Sequence, residues 1–121
     1  MSLSSDLGKL GEKQAIEFLR NKGFAILDVN WRCRHKEIDI VAEYNNKLHI
    51  IEVKTRSSDF FQTSHDVVNI TKQKHLISAA EMYVVENNLD IEVVFDIVYI
   101  LKKGKASVIE LITDAFSAYD F

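Results

Sequence analysis

The sequence predicts an α/β fold, a mixed β-sheet flanked by helices in the order α-β-β-β-α-β-β. Three observations carry this reading. Residues 6–22 and 71–86 repeat apolar residues at helical spacing. Five other runs are strand-like, with alternating or β-branched and aromatic residues. Two of those runs are joined by Asn45-Asn46, residues that tolerate the positive φ of a tight hairpin turn.

In the first helix Leu7, Leu10, Ala15, Phe18 and Leu19 form an apolar stripe, with Lys9, Lys13, Glu17 and Arg20 on the opposite side. Gly23 suits the stop after the last turn. Residues 24–32 look extended, and 36–44 and 47–55 form the hairpin pair. Residues 57–69 look irregular, with Phe60 and Phe61 packing inward or touching a partner. Thr71 can cap the second helix, whose apolar face is Leu76, Ile77, Ala80, Tyr83 and Val84. Residues 91–101 form a strand, "KKGK" a turn, and 105–112 a last strand. Helices packed on such a sheet bury its apolar faces.

The 121 residues, 47% hydrophobic and 27% charged, fit one domain, 1–121, with one core. No Pro and only four Gly leave no visible linker. The net charge of -3 excludes a global basic field. The charge is uneven, however. Residues 1–75 hold 12 Lys+Arg against 10 Asp+Glu, and residues 76–121 hold 3 against 8. A polyanion is therefore expected to meet the first two thirds of the chain. Cys33 is the only cysteine, so no intrachain disulfide forms. No run approaches the roughly 20 apolar residues of a membrane helix, and no apolar signal core opens the chain. These features predict a cytoplasmic protein without a membrane segment.

Counting outward from Asn45-Asn46 sets Tyr44 opposite Lys47, Asp39 opposite Glu52 and Glu37 opposite Lys54. Opposed residues point to one face, so these four charged side chains are expected to stand together. Ile38, Ile40, Ala42, Ile51 and Val53 then form a core layer on the other face. Two carboxylates at about 4.5–5.5 Å between Cβ atoms repel each other. A hard divalent cation, Mg²⁺ or Mn²⁺, takes carboxylate oxygens and resolves that repulsion. Lys54 emerges about 7 Å along the strand from Glu52. A metal that activates water beside an ammonium that stabilises phosphorane charge is the requirement of phosphodiester hydrolysis. Glu12 sits on the flank of the helix stripe, where it could reach the sheet. Blander readings stand beside these: a half-solvated strand with a Glu37–Lys54 ion pair, and a Glu12 favoured by the helix dipole.

Arg32, Arg34, His35, Lys36 and Arg56 are the densest basic cluster near the pair and could hold phosphates. Surface solubility explains such a cluster as well. Lys72 and Gln73 open the second helix, where they could orient water or phosphate. Trp31 could stack a base, although a core or edge role suits it better. His49 and Asp96 read as structural, and the four His show no ligand spacing.

Asp39 followed by Glu52-Val53-Lys54 resembles the PD-(D/E)xK nuclease superfamily. Gly8, Gly11-Glu12, Ala15, Gly23, Asn30-Trp31-Arg32, Glu37-Ile38-Asp39 and Glu52-Val53-Lys54-Thr55-Arg56 resemble more closely the YraN-like family of predicted endonucleases, themselves similar to archaeal Holliday-junction resolvases. The match continues weakly through Lys72, Lys74, Ala80 and Phe95-Asp96-Ile97-Val98. The resemblance implies a restriction-endonuclease-like fold and metal-dependent cleavage of nucleic acid. It implies Asp39 and Glu52 as metal ligands, Lys54 as the catalytic lysine, and Glu12 as the helix-borne acid of the resolvase-like branch. Ile38 stands where the superfamily name has Pro. Resolvase-like proteins cut two strands symmetrically, so the resemblance also allows a homodimer.

The expected function is thus a divalent-metal-dependent nuclease on DNA, with branched or flapped structures among its substrates. Two alternatives remain open: a nucleic-acid-binding module of the same fold with weak or no catalysis, and a protein-interaction domain using the 57–69 loop and the acidic C-terminal third.

Overall fold

The computed structural model describes residues 3–57 and 68–120. Phe60, Phe61 and His65 lie outside these residues. The elements are α1 (Leu3–Asn21), β1 (Ala25–Cys33), β2 (Lys36–Tyr44), β3 (Lys47–Ser57), α2 (Ile70–Glu86), β4 (Glu92–Lys103), β5 (Ala106–Phe116) and a short 3₁₀ turn (Ala118–Asp120). The five strands make one sheet in the order β1-β2-β3-β4-β5. Only β3 and β4 pair in parallel. They are the two strands linked through a helix, the connection a parallel pair needs. The expected α/β class and element order are both present.

The β2–β3 turn is the two-residue loop expected, with Asn45 at φ 53° and Asn46 at φ 63°. α1 ends at Gly23, φ 100°, with the Phe24 amide donating to the Leu19 carbonyl at 3.0 Å. α2 starts earlier than the apolar pattern suggests. Its cap is Asn69, not Thr71: the Asn69 side chain accepts from the Lys72 amide at 2.8 Å.

Each face of the sheet carries one helix. Ala15, Leu19 and Phe24 pack with Ile40, Ala42, Ile51, Val98 and Ile100 under α1. Leu76, Ala79, Ala80 and Tyr83 of α2 pack with Ile38, Val41, Leu48, Ile50, Phe95 and Phe116. Leu10, expected in the α1 stripe, is half exposed. Its neighbour Gly11 makes the contact instead: a Cβ there would overlap the Thr55 hydroxyl. This close approach holds α1 against β3 next to Glu12.

Ile38 also departs from expectation. It belongs to the α2 core, with Val41, while Ile40 and Ala42 belong to the α1 core. Strict alternation would separate Ile38 from Val41, so the alternation is interrupted at Asp39.

Candidate active site

From Tyr44–Lys47 to Ile40–Ile51 the hairpin keeps the register counted from its turn. There the ladder ends. β2 goes on pairing with β1, through Trp31–Ile38, Arg32–Glu37 and Cys33–Lys36. β3 goes on beside β4 as far as Ser57–Lys102. Asp39 and Glu52 would be the next pair, but they are not ladder partners. This corrects the expectation of direct opposition.

The Asp39 side chain takes over where the backbone pairing stops. Its Oδ2 accepts the Val53 amide at 2.9 Å, so an N–H released by the parting strands is satisfied by a carboxylate rather than a carbonyl. The same carboxyl hydrogen-bonds that of Glu52. Asn30 lies between the pairs Val29–Ile40 and Trp31–Ile38 and has φ 53°, a conformation Asn adopts more readily than most residues. Its side chain donates to Glu12 Oε1 at 2.7 Å.

Glu52 is 9% exposed and faces α2, where Lys72 Nζ lies 3.7 Å from its Oε2. Burial pushes its carboxyl up to about 7, with help from the charge and hydrogen bond of Asp39; Lys72 and Lys54 pull the other way. Glu12 is also raised, first by burial and then by the charges of Asp39 and Glu37, against the hydrogen bond from Asn30. Four acids, Glu12, Glu37, Asp39 and Glu52, therefore share one electrostatic neighbourhood.

Glu12, Glu37 and Asp39 line a cleft of about 660 Å³ beside α1. Lys9, Arg32 and Arg56 line it too. Glu37 pairs with Arg32, at 3.6 Å, across the β1–β2 ladder. The anticipated Glu37–Lys54 opposition is therefore absent, since β2 and β3 have already separated. The four charged side chains expected on one face are divided: Glu37 and Asp39 face the cleft under α1, while Glu52 faces α2. Asp39 joins the two sides. Lys54, half-buried two residues beyond Glu52, acts on it through its charge.

Of the basic candidates, Arg32 and Arg56 reach the cleft. Arg34 occupies the exposed β1–β2 turn at φ 59°, and Lys36 sits opposite Cys33 at the end of the ladder. Gln73 uses its amide on the Val68 carbonyl at 2.7 Å, anchoring the entry to α2. Trp31 packs on the α2 core, edge-on to Tyr83 at 5.2 Å. His49 Nδ1 and Asp96 Oδ2 are 2.5 Å apart in the interior, and Asp96 Oδ1 accepts the Asp114 amide at 2.9 Å. Two features escaped the sequence reading: Asn30 as the partner of Glu12, and Lys72 as the partner of Glu52. An Asn within a strand run was the only local signal for the first. Nothing local signalled the second.

The donor set fits a hard divalent cation in one respect. Two hydrogen-bonded carboxyls, one raised to about 7, hold a proton where a cation with oxygen preference could bind. Among the described residues no group of three His, Cys, Asp or Glu side chains is arranged to hold a metal.

The architecture is similar to that of Hjc, a Holliday junction resolvase from Archaeoglobus fulgidus, with a TM-score of 0.53 and 18% identity over 87% of this chain and 75% of that one. The model of the uncharacterised protein family UPF0102 matches residues 11–100, and the chain belongs to that family. It is 46% identical to UPF0102 protein FP2501 of Flavobacterium psychrophilum, over 96% of this chain and 98% of that protein. It is 43% identical to a UPF0102 protein of Christiangramia forsetii, over 96% and 98%. No described helix is long and apolar enough to cross a membrane.

Proposed function

We propose that this chain is a divalent-metal-dependent nuclease that hydrolyses DNA phosphodiester bonds, with branched or flapped DNA among its substrates. The observation that carries the reading is the Asp39–Glu52 carboxyl pair at the point where β2 and β3 part, flanked by Lys54 and Lys72. The structural likeness to a Holliday junction resolvase supports it.

Each residue has a role that its position can supply. Asp39 and Glu52 would hold Mg²⁺ or Mn²⁺, which when bound supplies water activation and charge neutralisation at phosphate. Lys54 offers an ammonium to the charge developing on the non-bridging phosphate oxygens. Lys72 favours the ionised form of Glu52. Glu12, oriented by Asn30, accepts a proton at the cleft side. Arg32 and Arg56 offer their guanidinium groups to backbone phosphates. The reading keeps the cytoplasmic location expected from the lone Cys33, and cutting two strands symmetrically would call for a homodimer.

A cleavage panel tests this directly. Branched, flapped and single-stranded DNA are incubated with the protein in Mg²⁺, in Mn²⁺ and in chelator. Metal-dependent cleavage that disappears in both Asp39→Ala and Lys54→Ala supports the proposal. Cleavage that survives both substitutions removes these residues from the mechanism.

One observation favours a second reading. The net charge of -3 suits a module that binds nucleic acid weakly or with a partner's help, without efficient turnover. Salt-dependent binding with no cleavage in either metal distinguishes it.

A further inference from the structure

Residues 76–121 contain only three Lys+Arg, and all three fall within four positions: Lys102, Lys103 and Lys105. The parallel register Ser57–Lys102 sets them at the same end of the sheet as the candidate site. Lys103 pairs with Ala106, so Gly104 and Lys105 form a two-residue hairpin loop. Lys103 and Lys105 are exposed at its tip. Lys102 is instead tied down. Its Nζ donates to Gln14 Oε1, and the Gln14 amide donates to Ser107 Oγ at 3.3 Å. The turn is therefore docked on α1, two residues from Glu12.

The opposite end of the sheet is acidic. Glu81 and Glu86 near the end of α2, and Asp90 and Glu92 at the entry to β4, are all exposed there, with Glu92 paired to Lys47 at 3.6 Å. A chain of net charge -3 thus has a basic pole at its candidate site and an acidic pole away from it. Such a field orients an approaching polyanion even though the whole molecule repels it.

We propose that Lys103 and Lys105 are a second phosphate-binding element for the proposed nuclease, and that with Arg34 and Lys36 of the β1–β2 turn they straddle the cleft to hold a DNA duplex arm. The two turns lie on either side of the parted β2 and β3, so they are more than three paired-strand spacings apart, beyond about 14 Å. That spans at least the rise of about four base pairs. A cleft with cations on both sides at this separation matches a duplex backbone; a single strand threaded through the cleft needs neither turn. The inference rests on the nuclease reading, and its test separates the two.

Binding is measured by fluorescence anisotropy in chelator, across a salt series, with a short DNA duplex, an RNA duplex and a single strand as probes. Lys103→Ala/Lys105→Ala lowers the salt slope for the DNA duplex by about 2, one for each phosphate contact removed. It changes the single-strand slope little. Glu81→Gln/Glu86→Gln alters net charge by as much in the other sense and leaves the duplex slope unchanged. An unchanged duplex slope in the lysine variant overturns the inference while the wild type still binds. So do equal changes on duplex and single strand, a change confined to the RNA duplex, or equal and opposite responses of the two charge variants. A wild type that binds no probe even at low salt sinks the nuclease reading itself.

Discussion

The two ends of the β2–β3 hairpin obey different rules. Near the turn every pair is in register, and His49 Nδ1 meets Asp96, which also binds the Asp114 amide, while the buried His49 Nε2 has no partner among the described residues. Phe24 stacks on Tyr44 at 4.4 Å over that end. At the far end the ladder is missing, an amide is satisfied by a carboxylate, and two carboxyls share a hydrogen bond. The first arrangement sets a hydrogen-bonded polar pair into a core. The second crowds two carboxyls together in a partly buried place, with Lys72 and Lys54 beside them, which is costly for folding and useful for binding a cation. Position relative to the strand divergence, more than residue type, separates structural acids from candidate chemical ones.

Four changes break or sharpen that contrast. The largest effect is expected at the open end. Lys54→Ala should reduce cleavage by about 100-fold or more, the scale of a lost electrostatic stabiliser, with little change in stability; this is read by single-turnover kinetics beside denaturant unfolding. At the closed end the expectation reverses. Asp96→Ala leaves His49 Nδ1 and the Asp114 amide without their partner and should cost about 2–5 kcal/mol in unfolding free energy, with cleavage per folded molecule unchanged.

The third change concerns pH. The folded carboxyl of Glu52 is raised from 4.5 to about 7, so between those values the native state binds more protons than the unfolded chain. Stability should therefore fall as pH rises from 4.5 through 7, by at most about 3 kcal/mol in metal-free protein. Added Mg²⁺ or Glu52→Gln should flatten the profile, and a profile already flat in the wild type would remove the carboxyl pair as its source. The smallest effect is expected at Asn30. Asn30→Gly keeps the left-handed backbone but removes the donor that favours ionised Glu12. Glu12 then ionises at higher pH, and the acid limb of the cleavage profile should move upward without loss of the fold.

Sequence alone determined the element order, the Asn45-Asn46 turn with the register it imposes, and the identity of the acids and lysines worth examining. Those features are written in near neighbours: periodicity, turn chemistry and caps act within a few residues. Tertiary structure alone decided where the hairpin stops pairing, because there β2 stays with β1 and β3 with β4, and neither competitor is visible from the hairpin itself. That parting broke the alternation at Asp39, moved Ile38 to the α2 core and gave Glu37 to Arg32. Glu52 keeps the face that alternation gives it, with Leu48 and Ile50, and there meets Lys72, a residue on α2 that no local pattern pairs with it. The basic pole arose the same way: "KKGK" reads as a turn, and only the parallel β3–β4 register carries it to the end of the sheet where the carboxyl pair lies.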